Sequence, residues 1–489
     1  MSTTESPREP HAAPDAGPAE FVLGAEQTGY KKQLTSRQVQ MIAIGGAIGT
    51  GLFLGAGGRL AAAGPSLTIV YAVCGLVAYC VLRALGELVI YRPSSGSFVS
   101  YAREFYGEKA AFATGWIYWM SWATTAVVDV TAIALYMKFF GQYSAVIAEI
   151  PQWVFALSAL ALVLALNLAS VKVFGELEFW LALVKVLALT AFLLIGIYLV
   201  VFGEPLAGGE RGLELIRDNG GLIPNGLIPA VVMIQGVMFA YASIELIGTA
   251  AGETANVETV IPRAVRTVIF RIAVFYVGSI LLLSLLLPYT AFKADESPFV
   301  TFFSRLGVPG ADVVMNLVVL TAALSSLNAG LYSTGRVLKS MAEVGSAPQF
   351  TRRMSRRGVP YGGIALTAVV ALAGVGLNAW VPADAFEIVI NLSAFGTITA
   401  WGMIALCHLR LTSWARKGRL NRPTFQMKAA PYSNYVILLF LACVLVLMAF
   451  DHPVGTWTVA ALFIVLIPAL IAAWLLSRSR IHARQHDGG

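Results

Sequence analysis

Met41-Ile42-Ala43-Ile44-Gly45-Gly46-Ala47-Ile48-Gly49-Thr50-Gly51-Leu52-Phe53 sets four glycines within seven residues of an otherwise apolar run. Glycine costs about 1 kcal/mol relative to alanine in a helix interior, so helix propensity does not explain them. Two explanations compete. Gly45-x-x-x-Gly49 and Gly51-x-x-x-Gly55 fit the small-residue spacing of closely packed helices. Alternatively the helix unwinds here and offers backbone N–H groups to a protein-lined cavity, where irregular backbone is tolerated at membrane depth. The density of glycine favours unwinding.

The rest of the chain supplies the membrane. Of 489 residues, 57% are hydrophobic and 12% charged, against about a quarter charged in a typical soluble domain. This excludes an ordinary cytosolic enzyme, a disordered chain and a nucleic-acid-binding domain. About 20 helical residues cross the hydrocarbon core. Runs of that kind recur at 39–61, 67–90, 112–137, 153–171, 178–202, 227–250, 266–288, 311–333, 362–381, 385–407, 433–450 and 456–476. The expectation is an all-α integral membrane protein of about twelve spans, with a tight connection near Val381 and Pro382. Residues 1–30 are polar, show no cleavable signal peptide and are expected to form a disordered cytoplasmic tail. Residues 31–476 form the transmembrane domain and 477–489 a basic cytoplasmic tail.

The net charge of +7 is a topology signal. With the N-terminus inside, 27 of the 34 Lys and Arg lie on the inner side, six (Arg59, Lys138, Arg211, Arg217, Lys293, Arg305) on the outer side, and Lys185 lies within a span. The bias places both termini in the cytoplasm of a multi-pass cell-membrane protein. Two outer connections stand out. Residues 203–226 are glycine-rich and acidic, and Ser297–Leu306 is amphipathic and expected to lie on the surface; each is read as a solvated connector rather than a gate.

The sixth run contains Gly236-Val237-Met238-Phe239-Ala240-Tyr241-Ala242-Ser243-Ile244-Glu245. It opens a second group of five spans as the glycine stretch opens the first. Interruptions at corresponding places in two halves point to an inverted-repeat transporter with a midplane site. The N-terminal end of a half-helix suits a carboxylate, and C-terminal carbonyls suit an ammonium. An α-amino acid carries both groups.

Charged residues within spans are expensive and are functional candidates. Lys185 is too deep for easy snorkelling. Asp129, in the third span, is equally readable as a structural carboxylate or as a proton or substrate contact. Glu245 follows the sixth-span break and can cap a half-helix or carry a proton. Arg83 and Glu87, four apart, read as a self-neutralising pair. Glu176, Glu178 and Glu253 flank spans on the inner side, where gating and plain solvation both fit. Ser325, Ser326, Asn328, Asn391 and Ser393 read as interhelical hydrogen-bonding groups, and Trp116, Trp119 and Trp122 as packing. The four cysteines are scattered and the five histidines lie in tails or at span ends, so no metal or cofactor is expected. HExxH, GxSxG and Walker A motifs are absent from the sequence, which argues against an enzyme or a built-in ATPase.

Several blocks resemble the bacterial amino acid permeases of the amino acid–polyamine–organocation superfamily: 41–53, Arg83-Ala84-Leu85-Gly86-Glu87-Leu88, Pro93-Ser94-Ser95-Gly96-Ser97-Phe98, Phe174-Gly175-Glu176-Leu177-Glu178-Phe179-Trp180, and 325–332. The resemblance runs from about Tyr30 to the last span. Residues 94–104, 297–303 and 446–450 look most like the L-asparagine permeases, while relatives for glycine, D-alanine, D-serine, GABA or aromatic amino acids share the common blocks. The resemblance implies a LeuT-like fold of five-plus-five inverted repeats with two extra helices, and proton-coupled uptake of an amino acid, L-asparagine foremost. An exchanger and a non-transporting amino acid receptor are the rivals. It also implies that N–H groups around Ile48, Gly49, Thr50 and Gly51 hold the α-carboxylate. The amino group would lie against carbonyls near Ala47, Phe239 and Ala242, beside Ser243. Lys185 would replace the sodium ion of related transporters, with Asp129 and Glu245 as further proton-coupling candidates. Where many relatives have a glycine pair, this chain has Ala242-Ser243.

The charge bias makes a direct prediction. Reporter fusions after Lys339 and Arg416 read out as cytoplasmic, and one within 205–222 as external; an external signal at Arg416 would overturn the twelve-span topology.

Overall fold

A computed structural model describes residues 48–94, 96–206, 210–251, 254, 256–294, 296–380 and 383–486, together with Gln38 and Met41. The described residues are almost wholly helical. Nine helices among them are long and apolar enough to cross a membrane. Each of the twelve expected segments is largely helical where it is described, the first and sixth with interruptions. The longest helices are Glu108–Lys138, Val171–Phe202, Ala311–Glu343 and Ala383–Arg416. The connection at Val381 and Pro382, the first tail, and Gly45, Gly46, Ala47 and Glu253 lie outside the described residues.

The third span packs against both the eighth and the tenth. Small residues allow the close approach: a Cβ on Gly330 would stand 2.6 Å from the Trp122 ring, and one on Gly396 would stand 2.1 Å from the Ser121 side chain. Polar bonds fasten the third span to the tenth, to the ninth and to the connection after the eighth. Ser121 Oγ donates to the Ser393 carbonyl at 2.8 Å, and Thr125 and Ser393 hydroxyls meet at 2.5 Å. Trp116 and Trp119 use their indole N–H groups to bind the Ser346 carbonyl (3.0 Å) and Thr367 Oγ1 (3.1 Å). The last span, by contrast, is exposed along most of its apolar surface and continues as helix to His486.

The first and sixth spans are broken. Helix Thr50–Phe53 precedes a bend at Leu54, beyond which Gly55–Ala63 continues. Helix Leu227–Ala240 stops, Tyr241–Glu245 form turns, and Leu246–Ala250 resumes. Ser243 sits at φ +83°, a left-handed conformation that costs a non-glycine residue roughly 1–3 kcal/mol.

Three connections differ from expectation. Helix Pro298–Ser304 does not lie in solvent: Phe299 and Phe302 are fully buried. Phe299 packs at 5.2 Å from Phe53 and 5.0 Å from Phe192, and Phe302 at 5.1 Å from Phe192. Its apolar face packs against the first span just past the break. The loop 203–226 contains helix Gly212–Asp218, whose Leu215 and Ile216 are buried against the seventh span. Arg83 and Glu87 do not pair. Arg83 turns over the Phe425 ring at 4.2 Å and donates to the Gln426 carbonyl. Glu87 accepts from Arg422 Nε at 2.6 Å and Nη2 at 2.9 Å and from Met427 N at 2.7 Å, and lies 2.9 Å from His408 Nε2. Asn434 Nδ2 meets His408 Nδ1 at 2.9 Å. One carboxylate thus fastens the second, tenth and eleventh spans and their loop.

Glu87→Gln leaves Arg422 without its counter-charge in a part-buried site. The expected loss is about 2 kcal/mol, seen as a lower melting temperature of the purified protein; an unchanged melting temperature would show that the clamp is dispensable.

Candidate functional site

The two breaks meet. A Cβ on Gly51 would lie 2.5 Å from Ala240 Cα, 2.9 Å from Ala240 N and 3.1 Å from the Phe239 carbonyl oxygen. These are backbone atoms and cannot rotate aside, so only glycine fits. Arg59 folds back along the first helix, donating to the Gly55 carbonyl at 2.7 Å, and uses the space left by the missing side chain of Gly236. The Phe239 carbonyl accepts the Ala242 N–H at 3.1 Å as the sixth helix ends. Behind the break Tyr276 Oη donates to the Ala240 carbonyl at 3.2 Å, and the Tyr241 and Tyr276 rings stack at 4.7 Å. Tyr276 belongs to a π-helical turn, Ile272–Val277, a rare geometry that often marks functional regions.

The expected substrate residues are therefore gathered at one crossing. Ile48, Thr50, Phe239, Ala242 and Ser243 accompany Gly49 and Gly51 there, Ile48, Thr50, Gly51, Phe239 and Ser243 being buried. Ala47 lies outside the described residues. Phe239 also packs with Val128, Ile390 and Ala394, which brings the third and tenth spans to the same place. The Thr50 hydroxyl is already committed: it donates to Asp129 Oδ1 at 2.9 Å.

That bond opens a buried polar chain. Asp129 is 1% exposed, and its Oδ2 has no hydrogen-bond partner among the described residues. Lys185 and Glu178 are fully buried. Lys185 Nζ donates to Ser325 Oγ at 2.9 Å, and Ser325 Oγ donates to Glu178 Oε1 at 2.5 Å. One hydroxyl thus accepts from an ammonium and passes its own hydrogen to a carboxylate. Asn328 Nδ2 reaches Glu178 Oε2 at 3.4 Å, and Asn167 Nδ2 binds the Asn328 carbonyl at 2.8 Å and Oδ1 at 3.0 Å. Lys185 stands within electrostatic reach of both Glu178 and Asp129. Glu245 is separate: it is buried past the sixth-span break and accepts from Trp401 Nε1 at 3.3 Å.

Glu178 is the residue that inner-flank placement misjudged. It is not solvated, because the fifth helix starts at Val171 and carries it inward. Seven positions separate it from Lys185, two helical turns on one face, and that spacing is the signal that could have found it.

Two broken helices touching backbone to backbone, with a buried ammonium beside them, define a membrane transporter of small polar molecules. The chain belongs to the amino acid permease family, whose model matches residues 38–487. It is 61% identical over 458 residues to L-asparagine permease 1 of Mycobacterium tuberculosis, covering 94% of this chain and 93% of that protein. It is 56% identical to L-asparagine permease of Escherichia coli (94% and 91% covered) and 55% identical to that of Salmonella typhimurium (96% and 94% covered). The chain is thus an amino acid transporter embedded in a membrane, and not an enzyme.

Gly51→Ala tests the crossing. The added methyl forces the two backbones apart, and binding of labelled amino acid by membranes is expected to fall at least tenfold while the protein still inserts. Normal binding would show that the glycine serves packing alone.

Proposed function

We propose that this protein imports L-asparagine together with protons across the bacterial cytoplasmic membrane, with both termini in the cytoplasm. The substrate assignment is supported by the names of relatives more than half identical over nearly the whole chain. The α-carboxylate binds the N–H groups of Ile48 to Gly51. The amino group lies against carbonyls of the first- and sixth-span breaks, near Ala47, Phe239 and Ala242, with Ser243 at the edge.

The observation that carries proton coupling is the Lys185–Ser325–Glu178 chain beside Asp129. Buried charge is tolerated when paired or neutralised. Two carboxyls and one ammonium do not balance with all three ionised, and Glu245 adds a third carboxyl with no ion-pair partner among the described residues. Taking up a proton removes the excess negative charge. Lys185 Nζ supplies a covalently held cation between the fifth and eighth spans, where a transporter of other design would take a metal cation from solution. Exchange of a proton within this set shifts hydrogen bonds between the first, third, fifth and eighth spans. That couples protonation to the arrangement of the first-span break.

Proteoliposomes test the reading. Labelled L-asparagine should accumulate under an imposed proton gradient without sodium, and unlabelled L-asparagine should compete better than glycine, GABA or phenylalanine. Lys185→Met keeps the stem and removes the charge, so it should lower accumulation at least tenfold while counterflow exchange survives. Sodium-dependent uptake or full accumulation by Lys185→Met would refute proton coupling through this residue. Absence of counterflow in the parent protein would make it a receptor.

A further inference from the structure

At the basic end of the second span a cavity of about 540 Å³ opens among Tyr79, Cys80, Arg83, Arg266, Phe425 and Lys428. It lies outside the broken-helix site, beside the clamp built on Glu87. No carboxylate lines it among the described residues. Arg83 is occupied by the Phe425 ring and the Gln426 carbonyl. Arg266 and Lys428 are exposed, and neither has an acidic partner among the described residues. Two unpaired cations and a third held beside them therefore face one cavity, with aromatic and sulfur-bearing side chains forming its apolar walls.

The surfaces leaving this cavity are apolar and exposed. On the second span Leu76 and Ile69, four and eleven residues before Cys80, are each 58% exposed. On the seventh, Phe270 follows Arg266 by four residues and is 67% exposed; on the eleventh, Val436 follows Ser433 by three and is 63% exposed. These offsets keep each apolar side chain on the helix face of the lining residue. A free anion would have no use for such faces. An amphiphile with an anionic head and acyl chains matches both halves, because guanidinium groups bind phosphate oxygens in a fixed fork and lysine adds a point charge.

We propose that the cavity binds the headgroup of an anionic phospholipid, its acyl chains lying along the exposed faces of the second, seventh and eleventh spans. Basic cavities between helices on the cytoplasmic side are suited to such headgroups. The leaflet follows from the orientation proposed above; the class of lipid does not depend on it. Bound there, the lipid would brace the loop that carries Phe425, Met427 and Lys428 against the second span.

Native mass spectrometry of the delipidated full chain tests this with three probes: phosphatidylglycerol, phosphatidylcholine and glycerol 3-phosphate. Phosphatidylglycerol should be retained more tightly than the other two. At about 1 kcal/mol per basic residue facing anionic lipid, the Arg266→Gln/Lys428→Gln double variant should weaken phosphatidylglycerol retention roughly thirtyfold. Retention of phosphatidylcholine and the lipid-free melting temperature should be unchanged. Arg478→Gln/Arg480→Gln, on the last helix, should retain the lipid as the parent does. Equal retention of the two lipids, unchanged retention by the first double variant, or equal loss in both double variants would overturn the proposal. Glycerol 3-phosphate bound as tightly as phosphatidylglycerol would overturn it too, in favour of a soluble phosphate site.

Discussion

Where the first span crosses the sixth, the chain has no room for even a methyl group: Gly51 stands against the backbone of Ala240. Both helices are also interrupted close to this contact, and at membrane depth each backbone group freed by an interruption must find a partner. Much of the surrounding architecture answers that demand. The Phe239 carbonyl takes the Ala242 N–H, the Ala240 carbonyl takes the Tyr276 hydroxyl, and Tyr241 donates to the Tyr71 carbonyl at 2.8 Å. Ser243 accepts a left-handed backbone to let the chain re-enter helix.

The polar set alongside is organised differently. It is held by side chains from five helices, and no single helix contains a complete pair except the fifth, with Glu178 and Lys185. Ser325 stands between them, so their attraction passes through a hydroxyl from the eighth span. This makes the fifth-to-eighth contact sensitive to the protonation of either end. The Phe174 and Tyr332 rings, stacked at 3.9 Å, fasten the same two spans one to two turns away by a contact that does not involve the carboxyls, and Arg336, on the same helix as Tyr332, lies 3.2 Å from the Tyr332 ring centroid. One end of the interface is thus made of uncharged rings and the other of ionisable groups.

Much of this was legible in residues. Glycine density marked the first break, small residues before Glu245 marked the second, and the rarity of charge within spans singled out Lys185 and Asp129. Other features were hidden for physical reasons. Glu178 looked like a flanking residue because apolar runs show where hydrocarbon begins, not where a helix begins. Arg83 and Glu87 have ideal spacing for a pair, yet a stronger bidentate partner arrives from Arg422, far along the chain, and spacing rules see only near neighbours. The amphipathic 297–306 segment was read as surface, but its apolar face covers protein, not lipid or water. The π-helical turn behind Tyr276 leaves no pattern in composition. The Gly49-x-Gly51 geometry was foreseeable; that Thr50 would be spent on Asp129 was not.

The rings of Phe53, Phe192, Phe299 and Phe302 join the first span, the fifth span and helix Pro298–Ser304 by apolar contact alone. Such packing derives its strength from the removal of apolar surface from water. Near room temperature that driving force is entropic, and it carries a large heat capacity. Salt screens charges but does little to such contacts. The strength of this aromatic packing therefore depends on temperature more than on the screening of charge, and cooling weakens it.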